Sequence, residues 1–276
     1  MRSSAYRRLV LGLQSGRMDR SAFRVAAFMA RSLKLKMLAV LVEDQSLVRA
    51  ANLPIARELV LPTYDWRPTD PARLARELSD EAEQVRLHIT QEIRDLGVEC
   101  DFEVRRGDPA AAIIEQCNVH DVIAVIDSVD AIERLGGTAK RMRQAALASE
   151  ASVLLLPPPH APQPEGPVMV VALDFHDEVV ATASQIADVS ERELLVLMAG
   201  PGTAENEPSG AQVRLSRGAV TMPLIERSAS GVVRTLGHRR GHCLVMNRSV
   251  IDLTASALDH LSNELGMPVL MTEGPA

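Results

Sequence analysis

The residues best suited by type and spacing to do chemistry are Gly136, Gly137 and Thr138. Two glycines and a hydroxyl ahead of a helix-like run can aim backbone N–H groups at a phosphate and add a side-chain donor. Lys140 and Arg141 follow and would supply positive charge. Asp127 and Asp130 stand in the same stretch, and a carboxylate close to a triphosphate costs about 1–4 kcal/mol. The alternative reading is a turn leading into a helix, with the basic residues on its wet face. A second cluster, His238, Arg239, Arg240, His242 and Cys243, could take an anion or a metal. Arginine beside a metal is unfavourable, however, and cations suit a helix C-terminus, so the ordinary reading is a solvated basic turn. No HxxxH-type histidine pair falls on a clearly marked helix, and no nucleophile elbow or Cys–His arrangement is visible, so no catalytic residues are expected. Tyr64 and Trp66 form an aromatic pair in a chain that is only 3% aromatic. They could contact a protein partner, or pack to pin a loop.

These groups must be positioned by a chain of 276 residues, long enough for two domains with substantial cores. Apolar residues make up 46% of it, and with so few aromatics the cores must be aliphatic. A formal charge of −6 argues against a surface that coats nucleic acid. No apolar run approaches the roughly 20 residues that cross a bilayer, so no membrane partner is expected. The opening MRSSAYRRLVLGLQSG is basic and then apolar, but the run is short and lacks a cleavage-site pattern. It reads as a strand. The three cysteines, Cys100, Cys117 and Cys243, are far apart and show neither zinc spacing nor a disulfide framework. A reduced, cytoplasmic protein is the expectation.

RRLVLGL, DRSAFRVAAFMARSLKLK and MLAVLVE read as strand, helix and strand with short connections, a βαβ unit in a parallel sheet. Residues 45–71 read as irregular, interrupted by Pro54, Pro62, Pro68 and Pro71. A long amphipathic helix follows from about Pro71 to Leu96, with Gly97 as C-cap. VECDFEV is a strand. Asp108 caps a helix with Pro109 in its first turn, DVIAVI is a buried strand, KRMRQAALASEA a helix and SVLLLP a fifth strand. The proline-dense stretch before Val168 reads as a linker. The pattern then repeats: VMVVALD, HDEVVATASQIADVSER, ELLVLMA, QVRLSRG, PLIERSASGVVRTLGHRR, HCLVMN, LTASALDHLSNELG and PVLMTE. The second copy is shorter, with GPGTAENEPSG where the first has its irregular segment and long helix.

At RRGDPAAAIIEQCNVHDVIAVI the pattern resembles the universal stress protein family, through Gly107-Asp108-Pro109 and Asp121-Val122-Ile123. The resemblance spans the chain as two copies. It implies an α/β fold of two tandem, doubly wound, five-stranded parallel-sheet domains, with ligands at the carboxyl ends of the strands. The domains would cover 1–158 and a shortened 168–276, joined by a linker at 159–167. Family members that bind ATP share a loop after the fourth strand, Gly-x2-Gly-x9-Gly-Ser/Thr. Here those positions hold Ile126, Val129, Ala139 and Lys140, and in the second copy the glycine positions fall on Asn247 and Val250. Side chains stand where phosphate would need bare backbone. The adenine-side aspartate corresponds to Gln14, followed by Ser15, in the first copy and to Asp174 in the second. The resemblance therefore implies a non-enzymatic, stress-associated regulatory or scaffold protein without a cofactor. Its candidate ligand residues would be Gln14, Ser15, Asp127, Gly136, Gly137, Thr138 and Asp174. The alternative is a nucleotide or small-molecule sensor, with weak ATP hydrolysis, using Gly136–Thr138. The resemblance also implies a homodimer, or an intrachain pseudo-dimer in which SVLLLP and PVLMTE pair.

Overall fold

In the computed structural model the described residues are 6–14, 20–60, 63–126, 138–157, 166–199, 219–237, 239–251, 261 and 264–273. The aliphatic runs become strands whose middle residues are sealed on both faces, as parallel strands between helices must be. They are β1 (Arg8–Gln14), β2 (Lys36–Asp44), β6 (Asp121–Ile126) and β7 (Ser152–Leu156). α1 (Arg20–Leu33) joins β1 to β2 and buries Phe23, Ala26, Ala27, Ala30 and Leu33 along one stripe.

Between β2 and β5 (Cys100–Gly107) the chain makes an excursion: α2 (Gln45–Ala51), the strands β3 (Arg57–Val60) and β4 (Asp65–Pro68), and α3 (Pro71–Leu96). The sequence reading left 45–71 without elements. The structure corrects this, because the prolines fall at boundaries. Pro68 is the last residue of β4, Pro71 lies in the first turn of α3, and Pro54 sits in the turn after α2. α3 has the expected ends. Asp70 accepts N–H bonds from Ala72 and Arg73, and Gly97 takes the left-handed conformation at φ 64°. α4 (Pro109–Ile114) and α5 (Thr138–Ala148) complete the first half.

The second half comprises β8 (Val168–Ala172), α6 (Glu178–Ser190), β9 (Leu194–Met198), β10 (Val220–Pro223), α7 (Ala229–Leu236), β11 (Cys243–Asn247) and β12 (Val269–Thr272). The strand beside β9 is thus Val220–Pro223. QVRLSRG, at 212–218, lies outside the described residues, as do most of the final helix and residues 158–165 of the linker.

All the strands except β3 and β4 form one ten-stranded sheet, in the order β10-β9-β8-β11-β12-β7-β6-β1-β2-β5. Neighbours are parallel, with one exception. β12 and β7 run antiparallel, with Met271 opposite Val153 and Leu270 opposite Leu154. Each half reads outward-in as third, second, first, fourth and fifth strand. The order of connection reverses beside β1 and beside β8, where open sheets of this type leave a crevice at their carboxyl ends. α1, α3 and α6 cover one face, around Phe23, Ile89, Val180 and Ile186. α4, α5 and α7 cover the other, around Ile113, Met142, Val232 and Leu236. At the joint, burial of Leu154, Leu155 and Leu270 contributes about 1.5–3 kcal/mol each. α1 also packs on α6, where Gln185 Nε2 donates to the Ser32 carbonyl at 2.8 Å.

Candidate functional site

At the carboxyl edge of the first half, β1 ends at Gln14, β5 at Gly107 and β6 at Ile126, and α5 opens at Thr138. Gly12 lets both covering helices close on β1: a Cβ there would overlap Ile113 Cδ1 of α4 and Met142 Cε of α5. The Gly-Asp-Pro segment works as a helix start. Asp108 Oδ1 accepts the Ala111 N–H at 3.0 Å, and Pro109 is buried in the first turn. The other Asp108 oxygen accepts from Arg141 Nη1 at 2.8 Å, both side chains about half exposed. Arg141, which the sequence offers to a phosphate, is therefore neutralised by a carboxylate. Ile126 presents a half-buried apolar side chain at the end of β6.

Ser15, Asp127, Val129, Asp130, Gly136 and Gly137 lie outside the described residues. Gln14 and Thr138 are placed only as the last residue of β1 and the first of α5.

Asp121 has a different place from these. It sits at the amino end of β6, about 16 Å of strand away from Ile126. It is 1% exposed and holds Arg8 through two bonds, 3.1 and 3.2 Å long, and the Asn118 N–H at 3.0 Å. The carboxylate raises the Arg8 pKa above the ordinary arginine value. The role of Asp121 is to pin β1 to β6.

At the carboxyl edge of the second half the register sets Val171 of β8 beside Met246 of β11, which brings Asp174 and Asn247 to one edge. Both are occupied with their own turns. Asp174 Oδ1 accepts the His176 N–H at 2.7 Å, and Asn247 Oδ1 accepts from the Ser249 N–H and hydroxyl at 2.9 Å. Val250 is 5% exposed and belongs to the core. Two residues here carried no sequence signal. Arg248 turns toward the first half and reaches backbone carbonyls at the end of α5. Tyr6, just ahead of β1, interacts through its hydroxyl with Ser152, Thr182 and Thr272, and burial raises its pKa.

The basic cluster resolves into separate environments. His242 packs edge-on against Phe28 of α1 with ring centroids 4.8 Å apart, and Arg31 lies over the same Phe28 ring. Cys243 is buried, its thiol pushed up to about 12. Arg239 and Arg240 are exposed, and His238 lies outside the described residues. Among the described residues no group of three His, Cys, Asp or Glu side chains could hold a metal ion. Burial also raises Cys100 to about 11 and Cys117 to about 12, so neither is an activated nucleophile. No helix among the described residues is long and apolar enough to cross a membrane.

The aromatic pair rides on the excursion. Trp66 of β4 stands opposite Leu59 of β3, and Tyr64 holds the turn at φ 59°. Tyr64 is 70% exposed and Trp66 63%. Ile55, Leu53 and Leu59 are exposed beside them in the chain. Glu58 pairs with Arg67 across the two strands and anchors the unit to α3 through Arg73.

No known family model matches the chain. No curated protein matches it. Solved structures do. A universal stress protein from Archaeoglobus fulgidus is 15% identical, covers 98% of each chain and has a TM-score of 0.60. A putative universal stress protein from Pseudomonas aeruginosa is 13% identical over 99% of this chain and 95% of that one, with a TM-score of 0.52. A functionally unknown protein from the same species is 14% identical over 98% and 94%, with a TM-score of 0.51. What this likeness establishes is the fold: the chain has, over nearly its whole length, the α/β architecture seen in structures of universal stress proteins.

Proposed function

We propose that the chain is a non-enzymatic, stress-associated regulatory or scaffold protein of the universal stress protein type, built as two tandem domains, that does not bind ATP. The observation that carries this reading is what occupies the two carboxyl edges. In the first half Arg141 is paired with Asp108, and in the second Val250 is buried where a phosphate loop would need a glycine. Both features oppose a polyanion, one by pairing an arginine that could have met it, the other by filling space. Regulation would then run through protein contact. Tyr64 and Trp66, exposed on their own excursion, are the surface that supports it. Separate, high-pKa thiols fit a reducing cytoplasm. Titration calorimetry with ATP and magnesium tests the central claim. No binding is expected at concentrations up to the millimolar range, and micromolar binding refutes the reading.

A second reading, a small-molecule or nucleotide sensor, is favoured by one observation: α5 opens at Thr138, which puts Gly136 and Gly137 immediately before a helix N-terminus. If a ligand is found, Gly137→Val abolishes its binding on this reading, and unchanged affinity removes that loop.

A further inference from the structure

Arg248 stands between the two second-half positions, Asn247 and Val250, at which a phosphate loop would require glycines. Its backbone N–H donates to the Thr272 carbonyl at 3.0 Å, which fixes it to the end of β12. Its side chain leaves the second half altogether. Nη1 donates to the carbonyls of Leu147 and Ser149 at 3.0 Å each, and Nη2 to those of Ala151 and, at 3.5 Å, Ala146. These four acceptors lie in the last turn of α5 and just beyond it, where a helix has no internal donors left to offer. A cation there also meets the negative end of the helix dipole. Glu273 balances the charge at 2.7 Å from Nη1. The Arg248 side chain is 14% exposed, so these bonds are largely shielded from water. Tyr6 makes a reciprocal crossing. It belongs to the first half, yet among its hydroxyl's partners are Thr182 of α6 and Thr272 of β12.

We propose that the carboxyl edge of the second half has been converted from a ligand crevice into an interlock, in which Arg248 caps α5 and makes the two halves one cooperative unit. The β7–β12 ladder alone joins the halves through three residue pairs, Val269 with Leu155, Leu270 with Leu154 and Met271 with Val153. On one face α1 packs on α6, but on the other face the short ladder by itself does nothing to hold the end of α5. The guanidinium supplies that hold, because one rigid fork meets carbonyls from a helix end and from the start of the neighbouring strand segment at once. Lysine cannot substitute, since a single ammonium on a flexible stem cannot satisfy acceptors spread over that span.

Hydrogen exchange read by mass spectrometry on the full chain tests this. In the unsubstituted protein the slowest amides of β6, β7, β11 and β12 should exchange together, in one opening event. In Arg248→Ala, protection in β12, the last turn of α5 and β7 should fall on the order of tenfold or more, while β1 and β2 keep theirs. The single event then splits in two. Arg248→Lys should show the same split with a smaller loss. Should the alanine variant fail to fold, the lysine variant and Tyr6→Phe, which removes one hydroxyl and keeps the ring, carry the decision. Unchanged protection in α5 and β12, or an even loss across all strands with no split, overturns the proposal.

Discussion

At the carboxyl edge of the first half, Asp108 and Arg141 pair with each other at 45% and 50% exposure. At the matching edge of the second half, Arg248 lies 14% exposed against carbonyls of its neighbour. Both edges descend from the same strand order, third-second-first-fourth-fifth, and both carry an arginine beside the place where phosphate would sit. What separates them is where the arginine stands, in the helix after the fourth strand in the first half and directly past the fourth strand in the second, on either side of the antiparallel joint. The joint turns the second half over, so that its carboxyl edge lies beside the amino end of β7 and the C-terminus of α5. Carbonyls are the groups waiting there, and an arginine facing carbonyls becomes a cap. The same joint sets the carboxyl end of β7 beside the amino end of β12, Leu155 opposite Val269, but Arg141 turns instead to Asp108 at the start of α4. What each edge does follows from what its arginine reaches: a carboxylate of its own half in one case, carbonyls across the joint in the other.

The amino ends of the fourth strands give the widest contrast. β6 opens on Asp121 and its bonds to Arg8 and Asn118, whereas at the corresponding place before β11 the chain has His242, edge-on to Phe28. Asp121→Ala should cost about 2–4 kcal/mol, somewhat less than breaking a fully buried pair, because Arg8 can still reach water. His242→Ala should cost about 0.5–1.5 kcal/mol. Urea denaturation of the two variants measures the difference, and equal losses would break the contrast.

Alkaline pH sharpens it further. Burial holds the Cys243 thiol at about 12 against 9.0 for an ordinary cysteine. The unfolded chain therefore releases this proton first. The neutral thiol's stability contribution is fully present below pH 9.0 and is lost as pH rises toward about 12. By pH 10 the loss should reach at most about 1.4 kcal/mol, and Cys243→Ala should remove the second half's share while Cys100 and Cys117 keep the first's. Denaturation midpoints measured from pH 7 to 10 show this; a slope that Cys243→Ala leaves untouched refutes the assignment.

The smallest expected effect is a similarity. α1 and α6 both end on a non-glycine residue in the left-handed region, Lys34 at φ 57° and Glu191 at φ 54°. Each cap is followed by an N–H that reaches back five residues, Leu35 to Ala30 and Arg192 to Ala187. Lys34→Gly and Glu191→Gly should each stabilise the protein by about 0.5–1 kcal/mol, strain relief slightly exceeding the added chain entropy. Thermal unfolding shows whether the two halves respond alike.

Much of this architecture was legible in the residues. Continuous aliphatic runs marked the buried strands, and the Pro71 to Gly97 helix carried its own start and stop signals. The 45–71 segment misled because proline density was read as the absence of structure, when Pro54, Pro68 and Pro71 each mark an end or a beginning. The sequence pattern puts the third strand of the second half at QVRLSRG, which starts eight residues before β10, and reads Pro223 as part of the following helix, whereas it closes β10. The roles of Tyr6, Arg141 and Arg248 were beyond reach for a different reason. Arg141 meets a residue 33 positions away and Arg248 carbonyls about a hundred away, across a joint that no local pattern encodes.

The outermost strands, β5 and β10, decide how such a sheet can be extended. β5 carries the ion-paired Glu103, Arg105 and Arg106 along its length, so an added strand would have to strip water from charge. β10 is four residues long and finishes on Pro223, which has no N–H to offer. With both fifth strands already spent on each other, backbone pairing between copies finds poor templates at either rim among the described residues. Among the described residues, self-association is left to side-chain surfaces, the helical faces and the β3–β4 excursion, and polymerisation by growth of the large sheet is disfavoured from the outset.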